Sequence, residues 1–135
     1  MLCGKPDDET AYFAGFDKSQ VSPIGSPDNL AFDSRGNLWI ATDGQPSNLK
    51  VNDAIHAVPV EGAERGHLKQ LLSAVSGSEV ASLVFNPDDT ALFASVQHPG
   101  EGGKLSAPTS VWPTGTFARP SVVVVTSTRG GVVGA

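Results

Sequence analysis

Two stretches of this 135-residue chain repeat one pattern at an offset of 53 to 54 residues, and that echo constrains the fold more than any other feature. Leu30-Ala31-Phe32 leads through Asp33-Ser34-Arg35-Gly36-Asn37 into Leu38-Trp39-Ile40. Leu83-Val84-Phe85 leads through Asn86-Pro87-Asp88-Asp89-Thr90 to Leu92-Phe93-Ala94, with one extra turn residue. Period-2 apolar residues on both sides of a turn predict a β-hairpin in each unit. Asp or Asn opens each turn, where its side chain caps the backbone, and Gly36 suits a position with positive φ.

The stretch between the hairpins supplies two further strands. Residues 54–60 alternate loosely, and Pro59, which has no N–H to donate, marks an edge or a bulge. Residues 67–75 read as a short strand or one or two helical turns, and the repeat favours the strand. Four strands in about 50 residues is the arithmetic of a β-propeller blade. The expected organisation is one all-β domain over residues 1–135. It has an irregular entry segment (1–27, with the aromatics Tyr12, Phe13 and Phe16), a first blade-like repeat (28–77) and a second (78–135). The second repeat has strands at 80–85, 91–96 and 121–126 and a Gly/Pro-rich insertion at 99–120. This amounts to about two antiparallel four-stranded blades, an incomplete ring, because closed propellers have roughly four to eight.

Composition agrees and excludes several classes. Fifteen glycines, ten prolines and only 17% charged residues suit a turn-rich β chain, not a coiled coil. No apolar run approaches the roughly 20 residues of a membrane helix, so no membrane partner is expected. The single cysteine, Cys3, forms no internal disulfide, and no Cys/His spacing suggests zinc. A net charge of −5 argues against a nucleic-acid partner. The N-terminus lacks the basic region and apolar stretch of an export signal.

Three elements, in order, carry a resemblance: Ser22 to Asp33 with Pro27-Asp28-Asn29-Leu30, Gly36 to Gly44 with Leu38-Trp39-Ile40-Ala41-Thr42-Asp43-Gly44, and Ala94 to Glu101 with Gln97-His98-Pro99-Gly100-Glu101. Over residues 12–133 the chain resembles the C-terminal part of the PhoX-type bacterial alkaline phosphatases. The resemblance implies a periplasmic or extracellular β-propeller phosphatase that scavenges phosphate from phosphate monoesters. It also implies calcium and iron at the mouth of a central channel. The chain is far shorter than such an enzyme, which implies that most of the catalytic apparatus lies upstream of Met1.

On that reading Asp28 and Asn29 stand at the entry to the first blade's inner strand, and Glu79 stands at the entry to the second. Carboxylate and amide oxygens are hard donors suited to Ca²⁺, so these three are the candidate metal ligands; an Asx-capped turn is the plainer reading of Pro-Asp-Asn. Asp43, His98 and Glu101 follow the second strand of each hairpin. They return to the same side as supporting residues or further ligands, although Asp-Gly and Pro-Gly are also ordinary turns. Catalytic residues are not assignable. Gly100-Glu101-Gly102-Gly103-Lys104 lacks the Ser or Thr of a phosphate loop. His56 and His67 are expected as packed or surface side chains, and Trp39 and Phe93, at equivalent places in the repeats, as core.

Three functions are compatible. The first is a piece of a metal-dependent phosphomonoesterase, contributing scaffold and calcium-side ligands and inactive alone. The second is a non-catalytic β-repeat module that associates through exposed strand edges. The third is a fragment of a lactonase-like propeller.

Overall fold

The computed structural model describes residues 7–8 and 14–135; Cys3, Tyr12 and Phe13 lie outside them. Among the described residues, strands β1 (Pro27–Phe32), β2 (Leu38–Thr42), β3 (Ala54–Val58) and β4 (Lys69–Ser73) form one antiparallel sheet in that order. Strands β5 (Glu79–Phe85), β6 (Ala91–Gln97) and β7 (Ser121–Thr126) form a second. The arrangement is consistent with an incomplete propeller-like all-β fold. The second sheet has three strands where four were expected. Residues 98–120, broken repeatedly by Gly and Pro, make only the short bridges Lys104 to Ala107 and Pro113 to Ala118.

Both hairpins form as the echo requires. In the first turn Gly36 takes φ +82°, and in the second its counterpart Asp89 takes +54°. A non-glycine residue in that region needs a compensating contact. Asp89 has two: its carboxylate accepts from the Ser34 N–H and hydroxyl of the other turn, and its carbonyl accepts from Val133 N. The buried Asp33 carboxylate organises the first turn, accepting from the backbone and side chains of Arg35 and Asn37 and from Trp39 Nε1.

Register fixes which face each residue serves. Ala31, Trp39 and Ala57 pair across the first sheet, as do Ala41 and Ile55, and all of these pack against the second sheet. From that sheet come Val80, Leu83, Leu92 and Ala94, with Phe85, Val123 and Val125 beside them; Val133 of the C-terminal tail closes the cluster. The first sheet's opposite face, with Ile40 and Val58, is covered by residues 14–24, chiefly Val21 and Ile24. His56 lies on this covered face, fully buried, and His67 stacks on Phe16 at 4.2 Å. Phe93 departs from expectation: it is exposed, because it lies on the second sheet's outer face, which no other sheet among the described residues covers.

Candidate functional site

Of the residues singled out from the sequence, Glu79 gathers with Asp43, His98 and Glu101 where the ends of β2, β5 and β6 meet. One wall is the loop carrying Asp43. It is anchored by a residue that sequence reasoning did not select, the buried Asp53, whose carboxylate accepts from Thr42 Oγ1 (2.7 Å), Gly44 N and Gln45 N. Gly44 has φ +116° and leads into the single turn α1 (Gln45–Asn48). The buried Gln45 side chain then bridges Gly25 N and Asn52 O. Asp43 itself donates its N–H to Ser26 O at 3.0 Å, so its backbone is held from both sides. No periodic signal in the sequence marks this anchor, because Asp53 acts on backbone N–H groups and on the Thr42 hydroxyl.

The second wall is built by the start of the insertion lying on the turn before β5. Gly100 N and Glu101 N donate to Ser76 O and Gly77 O. Gly77, at φ +67°, admits this approach because a Cβ there would meet the Glu101 backbone at 2.7 Å. The same docking brings His98 over Glu79. His98 Nε2 lies 3.3 Å from Glu79 Oε2, and Nδ1 lies 3.6 Å from Glu101 Oε2 and 3.4 Å from Gly77 O.

These neighbours shift both titrations. Burial, then a hydrogen bond and negative charge from Asp43, push the Glu79 carboxyl above its ordinary value, against the pull of His98. Burial acts to lower His98, but Glu79, the Gly77 carbonyl and Glu101 outweigh it and hold the imidazolium form to higher pH. Asp43, Glu79, His98 and Glu101 are therefore one interacting group.

Asp28 and Asn29 are arranged differently. The Asn29 amide donates to the Asp28 carboxylate, and Asn29 Oδ1 accepts from Ser82 N at 2.8 Å. Ser82 is the bulged residue of β5, at φ +57°, and the bulge frees its N–H from the ladder. Asn29 thus ties the first sheet to the second, a role its sequence position did not reveal. Among the described residues no group of three or more His, Cys, Asp or Glu side chains is placed to hold a metal ion.

A sequence model of the family "Alkaline phosphatase PhoX" matches residues 1–100, from the N-terminus through both hairpins to Gly100. The chain belongs to the PhoX alkaline phosphatase family. Its fold matches a structure of Pseudomonas fluorescens PhoX in complex with vanadate, a transition state analogue, at a TM-score of 0.72 and 31% identity. That match covers 99% of this chain and 23% of the Pseudomonas chain, so the chain spans about a quarter of the PhoX structure it resembles. A search of curated proteins finds no match. Both hairpins and the Asp43, Glu79 and His98 positions lie within the matched PhoX region.

Proposed function

We propose that this chain is the part of a PhoX-type phosphomonoesterase that supplies scaffold and one wall of a cation-assisted site, acting outside the cytoplasm. The observation that carries the reading is the match to the vanadate-bound PhoX structure across nearly the whole chain. The donor chemistry of the wall supports it. Asp43 and Glu79 crowd two carboxyls together, and a divalent cation relieves that repulsion better than one imidazole does. Asp43 and Glu79 are the residues of this chain that would hold calcium. A bound cation of this kind supplies charge neutralisation for phosphoryl oxygens. His98 holds a proton against Glu79, and Glu101 keeps the imidazole charged beside an anionic substrate. The proposed site also needs donors beyond this chain, calcium and iron ligands among them, so the chain alone has no phosphatase activity.

Two measurements test this. Hydrolysis of p-nitrophenyl phosphate by the 135-residue chain with added Ca²⁺ and Fe³⁺ is expected to match the blank; sustained turnover would overturn the partial-site reading. Calorimetric titration with Ca²⁺ is expected to show weak binding that disappears in Asp43→Asn/Glu79→Gln. Calcium affinity unchanged by that pair would remove the wall from the site.

A further inference from the structure

Residues 14–24 meet residues 66–70, the stretch that leads into β4, at several points. Ala14 sits on Gly66, where a Cβ would meet the Ala14 Cβ at 2.6 Å. Ser22 N donates to Leu68 O, and Ser22 Oγ accepts from Gln70 N. Between these ties His67 makes two contacts through its ring, which is only 12% exposed. Nδ1 lies 2.6 Å from Glu64 Oε2, and Nε2 lies 2.7 Å from the Gln20 carbonyl oxygen. Phe16 stacks on the same ring at 4.2 Å and 20°. Both hydrogen-bond partners are acceptors. A neutral imidazole has one N–H and one lone pair, so it satisfies one of them and turns its lone pair on the other. Only the imidazolium donates to both, and its charge also favours the face of Phe16.

We propose that His67 is a charge-dependent clasp: as the imidazolium it fastens residues 14–20 to the turn before β4, and on losing its proton it releases them. Glu64 sets the direction. In the neutral ring, the tautomer that keeps Gln20 points its Nδ1 lone pair at a carboxylate, and the tautomer that keeps Glu64 points its Nε2 lone pair at a carbonyl. Either way one contact turns repulsive. The hydrogen bond from His67, followed by the charges of His67 and Lys69, holds the Glu64 carboxyl below its ordinary value, so Glu64 remains an acceptor wherever histidine titrates. Besides Glu64 and Lys69, the charged groups around the ring are Arg65 on its own turn, Arg35 across the adjoining cavity, and Asp17 and Lys18 on the segment itself. Val21 and Ile24, packed with Ile40 and Val58, stay seated in both states, so the release stops short of the core. The other two histidines stand outside the device. Burial lowers the His56 pKa to about 4, which keeps that ring neutral, and His98 lies at the opposite end of the strands against Glu79. The clasp is independent of the phosphatase reading.

Backbone nitrogen-15 relaxation of the chain at about pH 5.5 and about pH 8.5 tests it, with the His67 imidazole followed by NMR in the same samples. Order parameters of residues 14–20 are expected near the rigid value of about 0.85 at the lower pH and below about 0.6 at the higher, the change following the His67 titration. Two variants separate the clasp from general loosening. His67→Phe keeps an aromatic ring on Phe16 but donates nothing, and is expected to leave residues 14–20 mobile at both pH values. Glu64→Ala alters an exposed side chain and removes the acceptor that makes the neutral ring repulsive. The Nε2–H tautomer then keeps Gln20, and order at the higher pH is expected to return to its lower-pH level. A wild type equally ordered at both pH values overturns the proposal, as does a full pH step retained in Glu64→Ala. Residues 14–20 ordered in His67→Phe overturn it too. If that variant loses its circular dichroism spectrum, the comparison of Glu64→Ala with wild type decides alone.

Discussion

His56 is the residue whose environment departs furthest from water. Its ring is fully buried and neither nitrogen makes a hydrogen bond of good geometry. Burial lowers its pKa from 6.5 to about 4, although the Pro23 carbonyl pulls the other way. The unfolded ring takes a proton as pH falls through 6.5, and the folded ring refuses it until about 4. His56 therefore removes stability across that window, by up to about 3 kcal/mol at its lower end, and costs nothing of this kind above it. Urea unfolding of His56→Leu against wild type, run from pH 7 to pH 4, is expected to show the wild type losing that much more. Parallel pH profiles would mean that the ring is already charged in the fold. Asp33 works in the opposite direction. Burial raises its pKa, but the hydrogen bonds from Asn37, Trp39 and Arg35 more than offset this, and its net value falls below the ordinary one. Its stabilisation is present above the ordinary carboxylate range and is lost in acid below it. Asp33→Ala strands the Trp39 indole N–H and the turn amides together, and is expected to cost about 3 kcal/mol at neutral pH. A cost under 1 kcal/mol would show the turn held by other contacts.

Turns, more than strands, decide how the elements present the site. Gly77 lets the insertion lie against the turn before β5, and a Cβ there would meet the Glu101 nitrogen and oxygen at 2.7 and 2.8 Å. Gly77→Ala also places a side chain at φ +67°. The expected result is a loss of about 2 kcal/mol. The variant also separates His98 from Glu79, read as a His98 imidazole titration midpoint that drops toward the free-histidine value. A variant with normal His98 titration would mean that β6 positions the imidazole without the insertion. The hairpins, β7 and the irregular insertion were all legible from alternation and turn residues, because those signals are local. The convergence of Asp43, Glu79 and His98 on one side was legible only as far as the repeat placed their strands alike. Asp53 and the Asn29–Ser82 link were not legible: each works through a contact with a backbone N–H that sequence periodicity does not encode. Phe93 was misjudged for the same reason at larger range, since the repeat predicts which face a residue takes but not whether another sheet covers it.

At the scale of the molecule, the two sheets have no separate cores. The main cluster takes Trp39, Ala41 and Ile55 from one sheet and Val80, Leu83, Leu92 and Ala94 from the other, with Val133 of the tail between them. The turn-to-turn bond from Ser34 to Asp89 and the Arg35 to Val133 carbonyl bond cross the same boundary. A sheet exposing such a face on its own would lose most of its buried apolar surface, so the two halves are expected to unfold as one cooperative unit. Leu92, fully buried on β6, is the position to perturb. Leu92→Ala removes apolar volume from the second sheet, and large-to-small changes of this kind typically cost about 2–5 kcal/mol. If the halves are coupled, the variant shifts the unfolding of Trp39 in the first sheet by the same free energy as amide exchange in β6 and β7. Two separated transitions, with Trp39 keeping its wild-type midpoint while β6 exchanges early, would show that each sheet folds alone. The shared core is also what keeps Asp43, borne by the first sheet, against Glu79, borne by the second. A variant that loosens the core without unfolding the chain should therefore return Glu79 toward its ordinary titration before any strand is lost.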